Sequence, residues 1–303
     1  MSRAPFNIVT GAFGFSGRYI AKRLLACGEQ VLTLTNRAPG TPSIEVAPLD
    51  FRNPQALADS MRGAKILYNT YWVRFVYGET SHAEAVENSR ILVQAAEQAG
   101  LERIVHLSVT NPSPNSPLSY FRGKAAVEEI IRSSSLTHAI LRPALIFGKE
   151  DILINNIGWL LRRSPIFAIP GDGKYALQPI FVEDLAAFAV ENGRGRKNAV
   201  VDAVGPETYK YKELVRLVRD SIGSRSRVFY APPTLVHLAS QLLGLLVHDI
   251  ILNREELSGL MANLLVSNQA PAGTTSLRKW LRENAGTVGR KYASEIERHY
   301  GRA

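Results

Sequence analysis

The segment Phe6–Gly17, FNIVTGAFGFSG, constrains this chain more than any other. Phe6, Ile8 and Val9 read as a short buried strand, and Arg18–Ala26 reads as a helix. Between them stand Gly11, Gly14 and Gly17, spaced Gly-x-x-Gly-x-x-Gly. Glycines let the backbone turn tightly and approach a pyrophosphate. The following helix offers unpaired N–H groups and the positive end of its dipole to phosphate oxygens. An ordinary glycine turn has the same composition. Its place at the first strand-to-helix turn favours a dinucleotide site, with Gly11, Phe13, Gly14, Phe15 and Gly17 as contacts.

The second strand, Gln30–Thr35, ends in Asn36-Arg37. In NAD-binding units of this plan, an acidic residue about 20 positions beyond the glycines binds the ribose 2′-OH. Asn36 occupies that place and is not acidic, and Arg37 follows it. A carboxylate repels a 2′-phosphate, whereas a guanidinium pairs with one in a bidentate manner. The expected cofactor is therefore NADP(H) rather than NAD(H); a simply solvated Arg37 is the alternative.

Ile44–Leu49 reads as a third strand, and Asp50 or Asn53 as the cap of a helix over Pro54–Met61. Ala64–Asn69 is a fourth strand, running into the aromatic loop Thr70–Tyr77. Tyr71, Trp72, Phe75 and Tyr77 line an apolar substrate pocket or pack in the core, and Arg74 is placed to meet an anion. Ser81–Ala99 shows helical spacing of apolar residues, ended by Gly100, and Arg103–Leu107 is a fifth strand.

Ser108-Val-Thr110 follows, then a proline-rich loop, then Tyr120-Phe-Arg-Gly-Lys124. Tyr and Lys four apart share one helix face. A phenol near pKa 10 is a poor acid or base at neutrality. A neighbouring ammonium favours the phenolate and brings it nearer a useful range. A Ser or Thr hydroxyl can hydrogen-bond a carbonyl or alcohol oxygen while nicotinamide exchanges hydride at carbon. A surface Tyr and Lys on a helix is the plain alternative.

Together, TGAFGFSG, Asn88 through HLSVT, YFRGK and RPALIFG resemble the extended and atypical branches of the short-chain dehydrogenase/reductase superfamily, over about residues 6–190. That resemblance implies Tyr120 as acid/base, with Lys124 lowering its pKa and binding the nicotinamide ribose. It implies Thr110, or else Ser108, as the substrate hydrogen-bonder. Asp50 and Phe51 fall at the adenine, Asn69, Thr70 and Tyr71 on the cofactor side, and Pro143 near the nicotinamide. The loop from Thr110 to Tyr120 is short and carries Pro112, Pro114 and Pro117. It resembles the branch that includes the NAD(P)H-binding accessory subunit of respiratory complex I, where binding without evident turnover is known; NmrA-like NADP sensors share the plan. An NADP(H)-dependent oxidoreductase acting on a small carbonyl or alcohol is the first expectation. A non-catalytic NADP(H)-binding structural or regulatory protein is the second, and a nucleotide-sugar epimerase or dehydratase the third.

The rest of the chain is read by pattern. Thr137–Arg142 and Val200–Val204 are strands, and Asn155–Arg163, Thr208–Ile222 and Arg254–Val266 are helices. Asp184 reads as an N-cap. Pro232–Leu252 is a long apolar helix: a core helix, a homodimer face or a membrane-surface helix, in that order. Leu277–Asn284 and Val288–Tyr300 close the chain as polar helices. The expected fold is α/β: a Rossmann-type doubly wound parallel sheet over residues 1–150 and a smaller mixed substrate region over 151–303. Residues around 178–204 are expected to return to the sheet.

Composition excludes some classes. Of 303 residues, one is cysteine, Cys27, which rules out a disulfide scaffold or a cysteine zinc site. It reads as a buried structural thiol. No apolar run reaches the roughly 20 residues of a membrane span, and the first strand begins too early for a signal peptide, so a cytoplasmic protein is expected. The net charge of +9 suits anionic cofactors, but the basic residues are scattered. Only Arg194-Gly-Arg196-Lys197 and Arg225-Ser-Arg227 cluster, so no nucleic-acid partner is expected; His237 and His248 have no ligand-like partner spacing, so no metal is expected.

Overall fold

The computed structural model describes residues 5–37, 43–76, 78 and 80–300. Tyr77, one of the expected pocket aromatics, lies outside them. In chain order the elements begin β1 (Phe6–Thr10), α1 (Phe15–Ala26), β2 (Gln30–Leu34), β3 (Glu45–Ala47), α2 (Pro54–Met61) and β4 (Ala64–Asn69). They continue with α3 (His82–Gln98), β5 (Arg103–Leu107), α4 (Ser119–Arg132) and β6 (Thr137–Pro143). Then follow β7 (Leu145–Phe147), α5 (Leu153–Arg163), β8 (Ile166–Pro170), β9 (Ala176–Leu177), β10 (Pro179–Phe181), α6 (Val182–Arg194) and β11 (Ala199–Ala203). The chain closes with β12 (Tyr209–Lys210), α7 (Tyr211–Ser221), β13 (Arg227–Ala231), α8 (Pro233–Val247), α9 (Arg254–Met261), α10 (Leu277–Asn284) and α11 (Glu295–Tyr300).

Two compact units emerge. One is the chain up to Pro143 with Leu185–Asp202; the other is Ala144–Asp184 with the chain from Ala203. The first holds a seven-stranded sheet of order β11-β6-β5-β4-β1-β2-β3. The pairs β1–β2, β2–β3, β1–β4, β4–β5 and β5–β6 are parallel. Strands covered on both faces need apolar side chains on both, as every residue of β1 and β5 is buried. The order reverses between β1 and β4, so their carboxyl ends diverge into a crevice suited to a ligand. Ala58, Leu67, Leu92, Ala96, Ile104, Val127 and Ile131 fill the core between this sheet and α2, α3 and α4. Val127 and Ile131 are fully buried, each contributing about 2 kcal/mol through lost apolar exposure.

The second unit packs α5, α7 and α10 around Ile154, Leu161, Leu214, Val218, Trp280 and Leu281. Its strands pair as β10–β7, β12–β9 and β13–β8.

Several pattern-based expectations change. The α8 pattern does not make a core helix: Leu235, Leu238, Leu242 and Leu245 form an exposed stripe, with Leu245 74% accessible. Apolar composition fixes helicity there, while burial depends on what the neighbours cover. Among the described residues no helix is long and apolar enough to cross a membrane. Asp184 does not cap α6. It lies in the first turn and accepts hydrogen bonds from the Thr274 and Thr275 amides, both at 2.7 Å. The helix expected over Val288–Tyr300 is reduced to Glu295–Tyr300, and that over Arg254–Val266 ends at Met261, before Asn263 turns left-handed (φ 56°). Cys27 is exposed, because α1 turns its carboxyl end outward there.

Candidate nucleotide and catalytic site

The glycine turn forms a cradle only small residues allow. Gly11 adopts φ 64°, in the left-handed region, and its amide donates to the Leu34 carbonyl at 3.0 Å. The Gly14 amide donates back to the Gly11 carbonyl at 2.8 Å, and Gly14 caps α1. Gly17 is buried on the first turn of that helix. A Cβ there would lie 2.3 Å from the Gly11 carbonyl oxygen. No side chain caps α1 and its first turn carries no acidic residue, so the positive helix end is left for an anion. Phe13 and Phe15 flank this turn half-buried, and Phe15 meets Tyr19 edge to face at 6.1 Å. These residues fit a dinucleotide pyrophosphate.

At the end of β2, the Asn36 carboxamide ties two strands. It donates to the Leu49 carbonyl at 3.0 Å and accepts from the Leu49 amide at 3.1 Å. Asn36 thus holds the rim beside the expected ribose position. Arg37 follows, half-exposed, with its amide donating to Thr35 Oγ1 at 3.2 Å. The helix cap left open between Asp50 and Asn53 falls to Asn53, whose Oδ1 accepts from the Ala56 amide at 3.1 Å. Asp50 accepts from the Arg52 amide and Nε, both 3.1 Å, and these bonds hold its carboxyl below the ordinary range. Phe51 packs on Tyr71, with ring centroids 4.8 Å apart.

The carboxyl ends of β1, β4 and β5 are joined by buried polar groups. The Thr10 hydroxyl accepts from the Thr70 amide at 2.7 Å and donates to Asn69 Oδ1 at 3.2 Å. The Thr70 hydroxyl donates to the Thr10 carbonyl at 2.6 Å. Asn69 Nδ2 lies 3.1 Å from His106 Nδ1. Fully buried and facing the Lys124 charge, His106 is held well below its usual pKa and stays neutral. Asn69 is therefore a buried brace of the strand ends, with Thr70 and Tyr71 at the rim. Tyr71 accepts at its hydroxyl from Asn88 Nδ2, 2.9 Å away.

Tyr120, Lys124 and Glu128 lie one turn apart along α4. Lys124 Nζ is buried, donates to the Leu107 carbonyl at 2.8 Å and stands 4.6 Å from the Trp72 ring centre. Burial pulls its pKa down to about 7, partly opposed by the Glu128 carboxylate. Trp72 stacks on His82 at 5.8 Å and meets Tyr120 edge-on at 5.9 Å. His82 Nδ1 lies 2.7 Å from Ser119 Oγ. Gly123 makes this closure feasible, since a Cβ there would sit 2.8 Å from the Trp72 ring. Phe75 is buried, whereas Trp72 is the loop aromatic that covers Lys124.

Ser108 is drawn elsewhere. Its hydroxyl donates to Glu128 Oε1 at 2.6 Å. Glu128 is 1% exposed and also receives Arg142 at 2.5 Å and Arg132 at 2.9 Å. Thr110 is fully buried, and its amide donates to the Pro143 carbonyl at 3.0 Å, which pins the β5 and β6 ends together. Sequence reading did not find Glu128, His106 or the Trp72 lid. Glu128 repeats the four-residue spacing of Tyr120 and Lys124, and that spacing was its available signal.

Residues 11–154 match a family model described as NAD(P)H-binding. The chain is 25% identical over 288 residues to "NADH dehydrogenase [ubiquinone] 1 alpha subcomplex subunit 9, mitochondrial" of Arabidopsis thaliana, covering 86% of this chain and 71% of the relative. It is 27% identical over 232 residues to the "Ceramide reductase" of Caulobacter vibrioides, covering 74% of this chain and 73% of that one. Against the Neurospora crassa 40 kDa and mouse subunits it spans less than two thirds of their length, 63% and 62%. A solved NADPH-dependent quinone oxidoreductase from Escherichia coli, complexed with NADPH, superposes with a TM-score of 0.72 at 19% identity, over 93% of this chain and 99% of the other. Taken with the glycine cradle and the reversing strand order, these likenesses give the chain an NAD(P)H-binding domain over residues 11–154 and a fold shared with solved NAD(P)-dependent reductase and epimerase structures.

Proposed function

We propose that this chain is an NADP(H)-dependent oxidoreductase acting on a small carbonyl or alcohol substrate. The observation that carries the reading is the Tyr120–Lys124 pair on α4, with the Lys124 ammonium held on the Leu107 carbonyl at the carboxyl edge of the nucleotide-binding sheet. NADPH held at the Gly11–Gly17 turn would supply the hydride chemistry for a carbonyl carbon. The Tyr120 hydroxyl gives its proton to the substrate oxygen, and Lys124, protonated at and below about pH 7, steadies the phenolate left behind. Thr110, the hydroxyl the family resemblance offers first, is assigned to the substrate oxygen, and Ser108 donates to Glu128. Trp72 and His82, packed on Tyr120, exclude water and give the pocket its aromatic wall. Arg37 selects NADP(H) by pairing with the 2′-phosphate.

One observation favours a second reading, a non-catalytic NADP(H)-binding subunit. The Trp72 indole lies against the Lys124 amino group, the group that the resemblance assigns to the nicotinamide ribose. Relatives at 25–28% identity, of which the chain spans 71% and 63%, carry the names of an NADH dehydrogenase subunit and an NADH-ubiquinone oxidoreductase subunit. The same experiment separates the readings. The purified chain is titrated with NADPH and with NADH by fluorescence, then NADPH consumption is followed across a panel of aldehydes, ketones and quinones. Consumption lost in Tyr120→Phe with NADPH affinity kept supports the enzyme. Consumption kept in Tyr120→Phe removes Tyr120 from the mechanism. Tight NADPH binding with no turnover across the panel favours the subunit.

A further inference from the structure

The second unit contains a cleft of about 1100 Å³ that the nucleotide chemistry does not use. Its walls come from the carboxyl end of α5, the start of β8, the segment 222–227 and Arg290. Five arginines line it: Arg162, Arg163, Arg225, Arg227 and Arg290. Among the described residues no Asp or Glu does. Every residue lining the cleft belongs to the second unit, and the cleft sits at the carboxyl end of the 11-residue helix α5.

The arginines have two different roles. Arg162 and Arg163 are structural. Arg162 donates to the carbonyls of Val288 at 2.9 Å and Ala285 at 2.6 Å, and Arg163 to those of Gly289 at 3.2 Å and Arg290 at 3.0 Å. They hold the loop that carries Arg290, and neutral carbonyls leave their charge uncancelled. Burial and the neighbouring Arg290 and Arg163 charges lower the Arg162 pKa, the mark of cations crowded together. Arg225 and Arg227 are exposed, at the edge where Arg227 pairs with Ile166 across β13 and β8. No ion pair joins either to a described carboxylate.

A second feature points to the same place. Ser226 lines the cleft between those two arginines, is 5% exposed, and its Oγ has no hydrogen-bond partner. Its amide donates to Ser224 Oγ at 3.1 Å, which holds the backbone at this position. A buried hydroxyl without a partner is costly and calls for an acceptor. An oxyanion satisfies both needs at once: it accepts from the hydroxyl and cancels crowded guanidinium charge, which matches phosphate oxygens in a bidentate geometry.

We propose that this cleft is an anion site for a phosphate-bearing ligand, gripped by Arg225, Arg227 and Arg290 and seated on Ser226. It belongs to the second unit and does not depend on the oxidoreductase reading. The test uses the whole chain saturated with NADPH, titrated with sodium pyrophosphate at low ionic strength by calorimetry. In parallel, flotation is measured with vesicles of phosphatidylcholine, with and without phosphatidic acid. The variants are Arg225→Ala with Arg227→Ala, and separately Ser226→Ala; their thermal midpoints and NADPH affinities report an intact fold. Pyrophosphate binding that weakens about tenfold or more in the double variant supports a soluble phosphorylated ligand. Binding to phosphatidic-acid vesicles alone, lost in the same variant, assigns the phosphate to a lipid headgroup. Binding unchanged in the double variant, or absent in both arms, overturns the proposal.

Discussion

Gly17→Ala tests the cradle most directly. The added methyl would lie 2.3 Å from the Gly11 carbonyl oxygen, 2.8 Å from the Gly11 carbonyl carbon and 3.1 Å from the Thr10 oxygen. All three are backbone atoms, so no rotamer change relieves the overlap. An ordinary carbon–oxygen contact is over 3 Å, so α1 must retreat from β1 by roughly 1 Å or the Gly11 turn must open. Overpacking of this kind costs about 1–3 kcal/mol of stability. The same displacement moves the helix amides off the pyrophosphate. Each charge-assisted hydrogen bond lost is about 1.5–3 kcal/mol, so NADPH affinity should fall roughly 10- to 100-fold. The control is Gly28→Ala. Gly28 also has positive φ, 76°, but a Cβ there meets nothing within 4 Å. It should lose about 1 kcal/mol of stability from backbone strain and keep its NADPH affinity. Fluorescence titration and urea unfolding of both variants decide the matter. Gly17→Ala binding NADPH as the parent does would refute the cradle.

Three further outcomes are expected. Arg37→Glu should weaken NADPH binding at least about tenfold while changing NADH binding far less, read by the same titration; equal losses for both cofactors would exclude a 2′-phosphate contact. Lys124 has its pKa lowered from 10.5 to about 7, so between those values the unfolded chain binds the proton and the folded chain does not. Stability should therefore rise with pH from about 7.5 to 9.5, by at most about 1.4 kcal/mol per unit, and Lys124→Met should flatten that slope in urea titrations. Asp151, raised to about 7, completes its titration mostly below this window. Glu128→Gln leaves Arg132 and Arg142 without their shared buried carboxylate and should cost about 3 kcal/mol; a loss under about 0.5 kcal/mol in urea unfolding would show the cluster to be incidental.

Much of the first unit was legible because its signals are local. Strand, glycine turn and helix lie within Phe6–Ala26, and hydrophobic spacing separated the parallel strands from α3. The Tyr120–Lys124 face followed from four-residue periodicity alone. By itself, then, the sequence determined the fold class, the placement of the glycine turn and the set of chemically competent residues. Tertiary structure decided which partner each of them meets. Ser108 and Glu128 are twenty residues apart and touch only because α4 lies on β5. Trp72 covers Lys124 because Gly123 lets the indole close on the helix. Asn36 is a strand clip because β3 brings Leu49 beside it. The exposed α8 stripe and the arginine cleft are likewise invisible along the chain, since Arg162 and Arg290 stand far apart in sequence and meet only in the fold. Periodicity reports which residues share a face, whereas burial and pairing depend on what long-range packing sets against that face.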